Sequence, residues 1–357
     1  MAIEADVAVV GAGIAGVSVA YELTAGASVV LLEQEGQPAY HTTGRSAAMF
    51  LESYGSPQVR ALTAASRAVF DAAGDLLRPR PLLWVAHEGE AGPLAALAEL
   101  RTANPALRPV DDAGARELCP VLRPGWCGAA LVEPDASEID VMGLHQHYLG
   151  GARRRGLRVL LNAPLRGGAH RGGRWTLETG AGQVTAGAVV NAAGAWADQV
   201  ARNLGVRPVG LRPLQRTAAV ARATGVDPAW PLVAEVSEQF YFRPEGAGVL
   251  LSPADEAPSE PHDAHPDELA VAAAIERVNA ATTLGLRSVI AAWAGLRTFA
   301  ADRNPVVGPD PDLPSFCWLA GQGGFGIQTA PALARLAAEL VTSAAPAPPD
   351  LSPARLR

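Results

Sequence analysis

The sequence predicts an α/β protein: a Rossmann-like nucleotide-binding domain assembled from separated stretches of chain, joined to a second, α+β domain that carries an antiparallel sheet. Three observations predict it. The apolar run Val7-Ala8-Val9-Val10 leads into the pattern Gly11-Ala12-Gly13-Ile14-Ala15-Gly16 and then a helix to about Leu23. A second glycine cluster, Gly321-Gln322-Gly323-Gly324-Phe325-Gly326, follows the apolar run from Cys317 to Ala320 and opens a helix from about Ile327 to Val341. Between them, Leu211 to Leu251 reads as a succession of strands, including Phe240-Tyr241-Phe242 and Val249-Leu250-Leu251.

Each element follows in order. Gly11 permits a tight turn, Gly13 lets backbone approach a pyrophosphate, and Gly16 allows close helix-sheet packing, while the free N–H groups at the helix start attract phosphates. The strand Val29-Val30-Leu31-Leu32 then delivers Glu33, followed by Gln34, where a ribose hydroxyl needs an acceptor. With the polar loop His41-Thr42-Thr43-Gly44-Arg45-Ser46, this makes flavin the first candidate ligand. Ser56 to Ala73 reads as a helix with Val59, Leu62, Ala65 and Val69 or Phe70 on its buried face. Leu82-Leu83-Trp84-Val85 reads as a strand able to line a pocket, with helical stretches at Pro93 to Ala103 and Asp112 to Leu118. Asp140 caps a helix to about Arg155, and the strand Leu157 to Leu161 returns the chain to the nucleotide-binding domain. An antiparallel pair around Trp175 and Val184 precedes Ala188-Val189-Val190-Asn191-Ala192-Ala193-Gly194-Ala195-Trp196, whose small residues let backbone pass close to a flat ring. Asp267 starts a helix to about Ala280. The resulting division is 1–80, 140–208 and 290–345 for the nucleotide-binding domain, 81–139 and 209–289 for the second domain, and 346–357 as a loosely held tail.

Composition narrows the function. A net charge of -7 with no cationic block points away from nucleic acid. No apolar run reaches the roughly 20 residues of a membrane span, and Met1 leads almost at once into the first strand, so a cytoplasmic, non-membrane-spanning protein is expected. The 3 cysteines, Cys119, Cys127 and Cys317, read as buried thiols, and no metal site is assigned to them or to the histidines. Every cation is arginine; without lysine, Schiff-base chemistry and a phosphate-loop lysine are excluded.

Taken together, Gly11, Gly13, Gly16, Glu33, Thr43-Gly44-Arg45-Ser46-Ala47-Ala48, Asn191 to Trp196, Trp293-Ala294-Gly295-Leu296-Arg297 and Gln322 to Thr329 resemble the FAD-dependent oxidoreductases of the D-amino acid oxidase type, nearest the D-arginine dehydrogenase-like D-amino acid dehydrogenases. The resemblance implies FAD held by Gly11, Gly13, Ile14, Ala15, Gly16, Glu33 and Gln34, then by Thr43, Gly44, Arg45, Ser46 and Ala47. It adds Leu165, Ala193, Gly194 and Trp196, and Gly323, Gly324, Phe325, Gly326, Ile327 and Gln328. The flavin is expected to be noncovalent, because Arg297-Thr298-Phe299-Ala300 stands where some relatives attach it through cysteine. Arg297 matches the arginine that forks onto a substrate carboxylate, supported by Arg216, Tyr54 and Tyr241, and Gly324 the position whose carbonyl receives the amine.

Two departures shape the expected activity. Met49 replaces the histidine that follows Arg-Ser-Ala-Ala in the D-arginine-type enzymes, and Leu82-Leu83-Trp84 lacks the carboxylate that a cationic side chain needs. With Met49, Phe50, Leu82, Leu232 and Ala234 as walls, the expected reaction is hydride transfer from Cα of a neutral or apolar D-amino acid to FAD, giving an imino acid that hydrolyses, with the electron acceptor unassigned. A secondary-amine oxidase for sarcosine or proline-like substrates, an NAD-dependent dehydrogenase and a flavin-binding subunit of a larger amine dehydrogenase are the alternatives.

Overall fold

The computed structural model describes residues 3–343 and 345–357; Met1, Ala2 and Ala344, which fall in the segments assigned above to the nucleotide-binding domain, lie outside the described residues. The strand Ile3–Val10 runs parallel to Val29–Leu32 on one side and Gly182–Asn191 on the other. Its period-two alternation explains the unbroken apolar run, because both faces are covered. Val7 and Val9 pack with the helices Ile14–Leu23, Val141–Arg154 and Gly326–Thr342, while Ala8 and Val10 join Trp175, Val200 and Trp318 on the opposite face. Among the described residues this sheet has eight strands, with Phe316–Ala320 parallel to the end of Gly182–Asn191.

The second sheet is nine-stranded and mostly antiparallel, and a three-stranded sheet, Met49–Phe50, Ser137–Ile139 and Leu77–Pro79, completes the strands among the described residues. One boundary differs from expectation. Residues 290–299, expected in the nucleotide-binding domain, form part of the strand Val289–Phe299, which pairs with Arg212–Arg222 along its length inside the nine-stranded sheet. Its Ala294 and Leu296 pack against Ala195 and Ala264, so Gly295 and Arg297 turn to the other face. The free edge of this strand is tied to the nucleotide-binding layer: Gly323 N–H donates to the Thr298 carbonyl at 2.8 Å.

Two further expectations are corrected. On the helix Pro57–Ala73 the buried face is Val59, Thr63, Ser66 and Phe70, whereas Ala65 is exposed. Polar residues are tolerated there because both hydroxyls donate back to the helix, Thr63 to the Val59 carbonyl and Ser66 to the Leu62 carbonyl. Each also receives a bond from the helix Gly326–Thr342, from Gln328 at 2.9 Å and Ala332 N–H at 3.2 Å. The tail 346–357 is seated rather than loose. Val307 N–H donates to the Leu351 carbonyl at 2.8 Å, Arg355 forks onto Asp302, and Arg357 pairs with the buried Asp310. Pro- and Ala-rich composition carries no periodicity that reveals such individually placed anchors.

All three cysteines are buried, and loss of solvation pushes their thiols up, Cys119 to about 12, Cys127 to about 11 and Cys317 to about 12. Thiolate is the reactive form. Iodoacetamide at about pH 8 is therefore expected to leave the folded protein unlabelled by mass spectrometry and to label all 3 thiols in denaturant; labelling of the folded chain would contradict this burial.

Candidate active site

The glycine turn after the first strand is sterically closed to any side chain. Gly11 adopts φ 101°, and a Cβ there would stand 2.6 Å from the Ala192 carbonyl oxygen; a Cβ on Gly16 would stand 1.7 Å from the Gly11 carbonyl oxygen. Helix Ile14–Leu23 thus starts with its N–H groups beside the cleft, where Ile14 N–H donates to Thr43 Oγ1 at 3.0 Å. Glu33, at the end of Val29–Leu32, accepts from Ala12 N–H at 2.7 Å and Glu35 N–H at 3.0 Å, which fixes its carboxylate at the cleft. From behind, the buried His145 donates Nε2–H to the Ala12 carbonyl at 3.0 Å; burial holds its pKa below the ordinary value, so it supports the loop as a neutral ring.

Two cavities of about 260 Å³ and 230 Å³ meet at Gly13, Thr42, Thr43, Ala192 and Gly194. The first holds Gly11, Glu33, Gln34, Leu165, Ala193 and Trp196. The second is walled by Ile14, Ala15, Arg45, Ser46 and Ala47, by Gly323, Gly324, Gly326, Ile327 and Gln328, and by Met49, Leu82, Leu232, Ala234, Tyr54, Tyr241, Arg216 and Arg297. Four expected residues lie outside both walls. Gly16 packs the helix, and Gly44 closes its loop, its N–H donating to the Ala39 carbonyl at 2.9 Å. Phe325 sits behind the wall, edge-on to Tyr54 at 5.0 Å. Phe50 alternates with Met49 on a two-residue strand and so turns into the core, 5.2 Å from the ring of Phe70.

Arg45 is held by its neighbours. Its Nη1 donates to the carbonyls of Ala264 at 2.7 Å and Ala294 at 3.0 Å, its Nη2 pairs with Asp263, and its own carbonyl accepts from Trp293 Nε1. Gln328 is similarly engaged, accepting from Leu51 N–H and donating to Thr63. Both residues brace the cavity wall.

Arg297 differs. Its guanidinium lies so close over Gly324 that a Cβ there would stand 2.9 Å from Nη1. Among the described residues no carboxylate lies within 4.0 Å of it, whereas Arg216 donates from Nε to the Asp255 carbonyl at 2.8 Å and from Nη2 to Glu256 at 3.3 Å. Burial opposes the charge on Arg297, but Tyr54, Tyr241 and Glu238 outweigh it and hold its pKa above the ordinary value. The surrounding chain of charges runs Arg303, Glu256, Arg216, Glu238, with Tyr54 Oη donating to Glu238 at 3.2 Å. Including Arg297, the cations exceed the carboxylates by one, and Arg297 is the member without a carboxylate partner. Glu235 and Glu238 also line this cavity, on the strand paired with Leu82–His87 and in the turn that follows it. Neither carries a sequence signal, since acidic residues at a hairpin are the default for a solvated turn.

A mixed sheet with parallel central strands and a glycine turn, an acidic residue ending the next strand and a continuous double cavity defines a dinucleotide-binding protein with a ligand chamber beside it. Residues 6–340 match the family model described as FAD dependent oxidoreductase, and the chain belongs to that family. FAD is its cofactor. Among relatives, the FAD-dependent oxidoreductase domain-containing protein 1 of Bos taurus is 35% identical over 175 residues, 43% of this chain; the chain spans about a third of it, 35% of its length. Glycine oxidase of Pseudomonas putida is 27% identical over 96% of this chain and 95% of its own. The crystal structure of L-proline dehydrogenase from P. horikoshii superposes with a TM-score of 0.87 at 20% identity, covering 99% of this chain and 98% of the other, which establishes the shared fold. No helix among the described residues is long and apolar enough to cross a membrane.

Proposed function

We propose that the protein oxidises the Cα–N bond of a neutral or apolar D-amino acid. The observation that carries the reading is Arg297: a cation with no carboxylate within 4.0 Å among the described residues, in a chamber whose apolar wall is formed by Met49, Leu82, Leu232 and Ala234. A planar fork suits an α-carboxylate, and the desolvated site strengthens the pair. The cleft fits FAD, since Gly11 leaves no room for a side chain and the cavities meet end to end. The glycine turn and helix Ile14–Leu23 would hold its diphosphate, Glu33 its ribose, and the walls formed by 42–48 and 322–328 its ring, without a covalent bond. Bound FAD supplies the two-electron acceptor.

The chain's residues then bind and orient. Arg297 sets the carboxylate, the apolar wall takes the side chain, and the Gly324 carbonyl receives the amine. With Cα held in one orientation, ordering rather than acid-base chemistry is the main contribution of the protein. The resulting imino acid hydrolyses to a 2-oxo acid. Oxidation of glycine or a secondary amine is the second reading, favoured by the nearly full-length alignment with glycine oxidase. Anaerobic mixing with neutral D-amino acids, D-arginine, glycine, sarcosine, proline and the L-enantiomers decides between them. Bleaching of the flavin by neutral D-amino acids alone is the expected result; bleaching only by glycine or secondary amines selects the second reading, and a yellow protein that none reduces overturns both.

A further inference from the structure

Glu238 stands at the tip of the hairpin between the strands Leu232–Glu235 and Tyr241–Glu245, on the wall of the chamber that contains Arg297. It adopts φ 55°, a left-handed conformation that a residue with a long side chain takes at a cost. The hairpin is nonetheless rigidly determined. The buried Glu235 accepts at one carboxylate oxygen from Ser237 N–H at 2.8 Å and Gln239 N–H at 3.2 Å. Glu238 N–H donates to the Glu235 carbonyl at 3.0 Å, and Arg277 Nη1 donates to the Gln239 carbonyl at 2.6 Å from the neighbouring helix. These tethers offset the cost of the left-handed backbone and fix where the Glu238 side chain leaves the turn.

The placement is specific. The Glu238 carboxylate accepts from Tyr54 Oη at 3.2 Å and lies 3.5 Å from Arg216 Nη2, with its side chain 40% exposed at the chamber. Arg216 does not depend on it, since Asp255 and Glu256 already receive its Nε and Nη2 donors. Tyr54 lies within electrostatic reach of both Glu238 and Arg297. One chamber therefore presents an arginine that has no carboxylate partner among the described residues and a partly solvated carboxylate beside the same phenol, a pairing of charges complementary to a zwitterion rather than to a simple anion.

We propose that Glu238 is the residue that selects a zwitterion: it accepts a hydrogen bond from the substrate's ammonium group while Arg297 holds the carboxylate, and it disfavours carboxylates that lack an amine. This rests on the amino acid reading above. Simple anions are discriminated against because they bring no ammonium to offset the negative charge of Glu238.

The test compares each enantiomer of alanine with propionate, the same skeleton without its amine, on the FAD-loaded protein and its Glu238→Gln and Glu238→Gly variants. Rapid anaerobic mixing reads the apparent Kd for alanine from flavin reduction, and the flavin difference spectrum reads the Kd for propionate. Gln keeps an acceptor for Tyr54 and removes only the charge; Gly relieves the left-handed backbone. Both variants are expected to weaken alanine at least about tenfold, to leave propionate unchanged or tighter, and to leave the thermal midpoint equal to wild type or, for Gly, higher. Equal weakening of both ligands, or a lowered midpoint in the Gly variant, assigns Glu238 a structural role and overturns the proposal. If wild type is reduced by alanine and both variants match it, the assignment to Glu238 fails while the amino acid reading stands. If wild type is neither reduced by alanine nor perturbed by propionate, both fail together.

Discussion

Replacement of Arg297 by methionine is expected to raise the Michaelis constant for the amino acid by about two to three orders of magnitude, the roughly 3–4 kcal/mol cost of losing one partner of a desolvated charge pair. Methionine preserves bulk, and the guanidinium has no carboxylate partner within 4.0 Å among the described residues, so its removal strands no buried carboxylate. The yellow colour and the thermal midpoint should therefore stay near those of wild type. The site also predicts an asymmetry with Arg216→Met, which would leave Glu238 without its cation and the Asp255 carbonyl without its donor, and so reduce stability as well as binding. Steady-state kinetics with a dye acceptor, read beside the visible spectrum, check this; an unchanged Michaelis constant would remove Arg297 from the substrate site.

A second large effect is expected at Gly11. Alanine there places a Cβ 2.6 Å from the Ala192 carbonyl oxygen and forces a side chain onto φ 101°. Strain of about 1–3 kcal/mol for the backbone alone, added to the clash, must move either the turn or the 191–194 segment, and both border the cleft. The variant should purify largely colourless, with affinity for added FAD reduced about a hundredfold or more, as roughly 3 kcal/mol implies. Fluorescence titration of the apoprotein with FAD measures it. Wild-type affinity in Gly11→Ala would show that the turn does not approach the cofactor.

Where local pattern was sufficient, the sequence was informative. The run 7–10 and the glycines after it specify strand, turn and helix within a short window, because both faces of a parallel strand are buried and only glycine can fill the turn. The caps Ser56, Asp140 and Asp267 mark helix starts for an equally local reason: each side chain accepts from a backbone N–H two or three residues on. The order of separated motifs identified the family, and with it FAD, because each motif is a short stretch of chemistry that survives reading in isolation.

What depended on distant partners was not legible. Thr63 and Ser66 face the core because Gln328 and Ala332 meet them from a helix near the other end of the sequence. Residues 290–299 sit in the nine-stranded sheet because Arg212–Arg222 offers an edge, which no feature of either strand announces. Arg357 seats the tail through Asp310, a single pairing without a pattern. Glu238 reaches the chamber only because the hairpin and Glu235 aim it there. Sequence by itself determined the glycine turn, its helix and strand, and singled out Arg297 as the candidate for a carboxylate. Tertiary structure decided which charges remain unpartnered around that arginine, because compensation between ions depends on separations of a few ångströms between residues far apart in the chain.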